Sequence, residues 1–123
     1  MPKTILVVDD SSTVRQQVSL ALSQAGFSIL EAADGREAIA AIESNRHIAM
    51  VVCDVNMPVL NGLEMVEQVK RRPEHKALPI LMLTTEGQPS MIKRAREAGA
   101  VGWIVKPFDA NQLVQATRHL TKA

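Results

Sequence analysis

Short apolar runs alternate along the chain with longer segments in which apolar residues recur three or four positions apart. The runs fall at 4–8 (Thr4-Ile5-Leu6-Val7-Val8), 28–32, 50–53, 80–83 and 101–105. All are short and end at Gly, Pro or polar residues, so each reads as a strand. After them, helical spacing links Val14, Val18, Ala21, Leu22 and Ala25; Ala38, Ile39 and Ile42; Leu63, Val66 and Val69; Ile92, Ala95 and Ala98; and Leu113, Ala116, Thr117 and Leu120. The pattern predicts a strand followed by a helix, five times over. Gly26 and Gly99 stand where glycines end helices, and Asp34 and the pair Asp109/Gln112 stand where side chains start them.

Runs one, three and four are apolar throughout, as strands covered by helices on both faces are. Runs two and five carry Ser28, Glu31 and Gly102 and are expected at the edges. Right-handed crossovers then give an α/β fold, a (βα)5 doubly wound parallel five-stranded sheet in the flavodoxin-like order 2-1-3-4-5. In such sheets the site lies beyond the carboxyl ends of the strands, at the switch point between strands 1 and 3. The strand exits read Asp9-Asp10, Ala33-Asp34, Asp54, Thr84-Thr85 and Lys106-Pro107.

Acids crowded together need a cation. Hard oxygen donors with no His or Cys beside them point to Mg²⁺ rather than zinc, and Mg²⁺ tends to share its coordination with a phosphate. A carboxylate beside that ion is a candidate nucleophile toward phosphorus, and a hydroxyl and an ammonium suit the oxygens of a transferring phosphoryl group. By strand order Asp54 is the best-placed nucleophile, with Thr84 and Lys106 on the phosphoryl.

Composition narrows the class. The 123 residues predict a single domain over 1–123, and 46% hydrophobic with 22% charged residues is ordinary for a globular chain. The net charge of +1 gives no global pull toward nucleic acid or membrane, and no apolar stretch approaches the ~20 residues of a membrane span. A single cysteine rules out an internal disulfide, and no signal-peptide pattern precedes the first strand, so the expected location is cytoplasmic.

Val8-Asp9-Asp10-Ser11-Ser12, Cys53-Asp54-Val55-Asn56-Met57-Pro58 with Asn61-Gly62, Leu83-Thr84-Thr85 and Lys106-Pro107-Phe108 together resemble the receiver domain of two-component response regulators, the CheY-like family, over the whole chain. The resemblance implies that Asp54 accepts a phosphoryl group from a histidine kinase. It also implies that Asp9, Asp10, Asp54 and the backbone carbonyl of Asn56 hold Mg²⁺, that Thr84 and Lys106 contact the phosphoryl oxygens, and that the Lys106-Pro107 peptide is cis. The implied output is a protein-binding face made by helix 4, strand 5 and helix 5. An aromatic residue three positions before the lysine would move with the threonine; Trp103 stands there, where the family commonly has Tyr or Phe. Asn61 replaces the more usual Asp.

Asn56 and Glu86 occupy the positions that, in the family, tune dephosphorylation, and their pairing resembles that of fast-responding chemotaxis regulators. Lys93, Arg94 and Arg96 put positive charge on helix 4, which reads either as a solvated face or, with an exposed Trp103, as a docking surface for an acidic partner. Cys53 reads as inert packing; His47, His75 and His119 as neither ligands nor bases; Met50 and Met82 as core, with Met57 shielding the site. The expected protein is a stand-alone, monomeric response regulator that catalyses only its own phosphorylation and dephosphorylation. Its partners would be a kinase and a downstream protein, the flagellar motor switch if the role is chemotaxis. A phosphate sink or phosphorelay intermediate would leave nearly the same sequence. A Mg²⁺-dependent phosphohydrolase with an aspartyl-phosphate is the reading from a different class, opposed by the lack of an Asp-x-Asp motif and of a cap. A flavodoxin is opposed by the scarcity of aromatic residues.

Overall fold

The structure is a computed structural model describing residues 2–122. Its elements alternate as β1 (Thr4–Val8), α1 (Ser12–Gln24), β2 (Ser28–Ala32), α2 (Gly35–Ser44), β3 (Ile48–Cys53), α3 (Gly62–Lys70), β4 (Ile80–Thr84), α4 (Pro89–Ala98), β5 (Gly102–Val105) and α5 (Ala110–Thr121). The sheet is parallel in the order β2-β1-β3-β4-β5, as the apolar pattern predicts. Three boundaries differ from expectation. β5 begins at Gly102 rather than at Val101. β3 begins at Ile48, and β4 runs through Thr84, so that hydroxyl belongs to a strand rather than to a loop.

Alternation along the strands divides the core into two layers. Leu6, Val8, Val51, Cys53, Ile80 and Met82 face the side covered by α2, α3 and α4. Ile5, Val7, Met50, Val52, Leu81 and Leu83 face α1 and α5. Register then fixes the exits: Val8 lies opposite both Ala32 and Cys53, so the residues after β1 and β3 emerge side by side. The ladder continues past the strands, with Asp54 N donating to Val8 O (3.0 Å), Asp9 N to Ala32 O (3.1 Å) and Lys106 N to Thr84 O (2.8 Å).

Helix starts follow local chemistry. Ser11, Asp34, Asn61 and Asp109 each accept hydrogen bonds from the first turn of the following helix, and Asn61 and Glu64 form a reciprocal capping box. Gln112 gives its backbone N–H to Asp109, so that expected pair is a one-way cap. α4 starts at Pro89 without a side-chain cap. Gly26 (φ 100°) and Gly99 (φ 115°) close α1 and α4 in the left-handed region.

A 3₁₀ turn at Pro73–His75, absent from the apolar pattern, leads into β4 and buries His75. Lys70 gathers the carbonyls at the end of this turn and just beyond it, its ammonium donating to His75 O, Lys76 O and Leu78 O; burial lowers the pKa of that amine. At the amino edge, the Lys3 ammonium donates to the Thr121 carbonyl, tying the start of β1 to the end of α5. Among the described residues, no helix is long and apolar enough to cross a membrane.

Candidate functional site

The three acids meet at the carboxyl edge. One carboxylate oxygen from each of Asp9, Asp10 and Asp54 lies within 4.8 Å of the others. Asp9 and Asp54 are buried and Asp10 is exposed. Backbone donors orient the buried pair: Ser11 N donates to Asp9 Oδ1 (2.9 Å) and Val55 N to Asp54 Oδ1 (2.7 Å). The Lys106 ammonium serves both, at 2.7 Å from Asp9 Oδ2 and 3.5 Å from Asp54 Oδ2. Lys106 therefore pairs most tightly with Asp9, and Asp54 keeps the more open oxygen. One ammonium against three carboxylates leaves the rim negative. That oxygen set suits a small, hard divalent cation with water completing its coordination. The Lys106–Pro107 peptide is cis.

The loop after β3 owes its path to close backbone approach. Gly62 N donates to Val55 O (2.9 Å), and a Cβ at Gly62 would stand 2.0 Å from Asp54 O. Only glycine fits there. A Cβ at Gly35 would likewise stand 2.6 Å from Leu60 O in the same loop. Met57 is buried with the α2–α4 core layer; the expected shield is a core residue. Val59 is 72% exposed with φ 70°, an unfavourable conformation for a β-branched residue.

The loop after β4 carries a different network centred on Glu86. Its N–H donates to Thr84 Oγ1 (3.3 Å), its carboxylate accepts from Asn56 Nδ2 (3.2 Å), and its carbonyl accepts from Trp103 Nε1 (2.8 Å). Trp103 is thus half-buried against the core, not an exposed anchor. The expected cationic face of α4 also changes. Arg94 turns to α3, its Nη2 and Nε 3.1 and 3.4 Å from the two Glu67 carboxylate oxygens, and that pairing raises its pKa. Lys93 is 3.9 Å from Glu97, leaving Arg96 exposed beside Trp103.

Cys53, next to Asp54, is fully buried with its Sγ 3.2 Å from the Asp54 carbonyl. Burial first, and then the charges of Asp54 and Asp9, push its thiol far up, so it stays neutral and inert. Two polar residues escape a reading by hydrophobic pattern. Arg15 Nη1 donates to the Asp9 carbonyl (2.6 Å) while its Nε donates to Glu31 (3.1 Å). The signal for them was Glu31 itself, a charge on a strand and in register with Val7. A cleft between α1 and α5 reaches Thr85 and Lys106 and includes none of the three acids in its lining.

Comparison with known proteins matches this arrangement. The family model for the response regulator receiver domain covers residues 5–118. Chemotaxis protein CheY1 of Helicobacter pylori is 42% identical over 105 residues, 85% of each chain. The chemotaxis protein CheY homolog of Campylobacter jejuni is 41% identical over 85% of this chain and 81% of its own. The structure of chemotaxis protein CheY4 of Vibrio cholerae superimposes with a TM-score of 0.91 at 42% identity, covering 98% of this chain and 99% of that one. A parallel sheet in this order, acids at the first and third exits, and a family match across nearly the whole length agree: the chain belongs to the response regulator receiver domain family.

Proposed function

We propose that this protein is a single receiver domain that takes a phosphoryl group onto Asp54 from a phosphohistidine of a sensor kinase and passes the signal by binding another protein. The carrying observation is Asp54 itself: one oxygen held by Val55 N, the other facing Lys106, with two further acids alongside. In the transfer an Asp54 carboxylate oxygen bonds to phosphorus as the phosphorus–nitrogen bond of the donor breaks, and the departing imidazole takes up a proton. Asp9, Asp10, Asp54 and the Asn56 backbone carbonyl are the groups that would hold Mg²⁺. That ion, when bound, neutralises charge on the phosphoryl oxygens. The Lys106 ammonium offsets the charge of the acylphosphate, and the Thr84 hydroxyl donates to one of its oxygens.

The Glu86 network links that event to the surface. A Thr84 hydroxyl drawn toward the phosphoryl pulls on Glu86 N, and the Glu86 carbonyl carries the Trp103 indole. The face of α4, β5 and α5, with Arg96 and Lys93 exposed, is the output surface. The chemotaxis relatives favour a role in chemotaxis; the location proposed with it is the cytoplasm, and the proposed target is the flagellar motor switch. The cleft between α1 and α5 bypasses the acids, which favours a signalling phosphoacceptor over a phosphohydrolase that must enclose its substrate. Asn56 and Glu86 flank the acceptor and are proposed to set a short phosphoryl lifetime; persistence for hours with Mg²⁺ would contradict that.

Trp103 fluorescence reports the reading directly. Mg²⁺ with beryllofluoride is expected to change the emission of the wild type and leave Asp54→Asn unchanged. An equal response in both proteins would remove Asp54 as the acceptor.

A further inference from the structure

We propose that Arg15 is a positioning residue for the pair Asp9 and Asp10, and that its pairing with Glu31 lets a fixed cation do this beside a site that takes another cation. The proposal rests on the reading of the rim as a Mg²⁺ site. Arg15 lies in the first turns of α1, its side chain 19% exposed. Nη1 reaches the Asp9 carbonyl at 2.6 Å and Nε reaches Glu31 Oε1 at 3.1 Å. That carbonyl belongs to the peptide joining Asp9 to Asp10. Holding it fixes the plane from which Asp10 leaves the backbone.

The two acids differ in how much else restrains them. Asp9 has a donor on each carboxylate oxygen, from Ser11 N and Lys106 Nζ. Asp10 is exposed, and among the described residues no donor holds its carboxylate. Its direction therefore depends on the Asp9–Asp10 peptide, which Arg15 holds. The guanidinium stays charged at any working pH, and an unbalanced positive charge there would oppose a divalent ion. Glu31, in register with Val7 near the end of β2, supplies the balance.

A mere nearby charge and a positioning group predict opposite signs, so one variant separates them. Isothermal titration calorimetry with Mg²⁺ alone on the full chain would compare wild type, Arg15→Gln, Arg15→Lys, Glu31→Gln and Asp10→Asn, with circular dichroism and metal-free thermal midpoints as checks on folding. Arg15→Gln is expected to weaken Mg²⁺ binding roughly tenfold although it removes a positive charge, and the loss should persist at high salt. Glu31→Gln is expected to weaken binding at low salt and recover as salt screens the freed guanidinium. Tighter or unchanged binding in folded Arg15→Gln overturns the positioning role; if that variant fails to fold, the same outcome in Arg15→Lys does so. A lower thermal midpoint with unchanged Mg²⁺ affinity would also overturn it, since Arg15 would then serve stability alone. If wild type binds no Mg²⁺, or Asp10→Asn binds it equally well, the metal reading of the rim fails first and the proposal falls with it.

Discussion

The loop after β3 and the loop after β4 both border Asp54, yet the first is held by backbone packed on backbone and the second by side-chain hydrogen bonds. From Asp54 to Gly62 the chain folds onto itself, closed by the Gly62–Val55 bond and by clearances that admit no Cβ. From Thr85 to Gln88 the chain hangs on Glu86, α4 begins without a side-chain cap, and a Cβ at Gly87 would meet nothing closer than 3.6 Å. Free volume and breakable bonds lie on one side of Asp54; close packing lies on the other. On the proposed reading, Asp54 must be kept still while something beside it moves. The two loops divide that work.

The largest test breaks the fixed side. Gly62→Ala puts a methyl group where the Asp54 carbonyl stands, and urea unfolding is expected to show a loss of about 3 kcal/mol or failure to fold. A change under about 1 kcal/mol would mean that the loop can yield, and that close approach is not what holds it. Next, Val59→Asn should relieve the left-handed strain without touching the closure, raising stability by about 1 kcal/mol in the same assay. A loss would show that Val59 contributes packing that outweighs its backbone cost.

The smallest effect sharpens the mobile side. Trp103→Phe removes the N–H that holds the Glu86 carbonyl, for a global cost of about 1 kcal/mol or less. Hydrogen exchange read by mass spectrometry should then quicken over residues 85–88 and stay unchanged over 54–62. Equal quickening in both segments would merge the two loops into one unit and end the distinction.

How much of this was legible in sequence follows from the physics of each feature. Apolar runs and helical spacing report burial, so the five strands, their order and the meeting of Asp9, Asp54 and Lys106 at one rim could be read directly. Caps at Asp34 and Asp109 and the glycine ends of α1 and α4 could also be read, because each is a local rule. Pairings between elements could not. Arg94 with Glu67 and Arg15 with Glu31 join residues far apart in sequence, and a charged side chain gives no periodic sign of where it points. The 3₁₀ turn and buried His75 were hidden because a three-residue element is shorter than one period of the helical spacing. Asn61, read only as a departure from a family pattern, turns out to start α3.

The bond between Lys3 and Thr121 has a practical reach. It sets residues 3 and 121 at one pole of the molecule, within a lysine side chain's span, while the acids sit at the other pole. A reporter dye or a surface tether coupled beside residues 3 and 121 would therefore stand away from the acids, loading the protein at its handle and leaving the acidic edge clear.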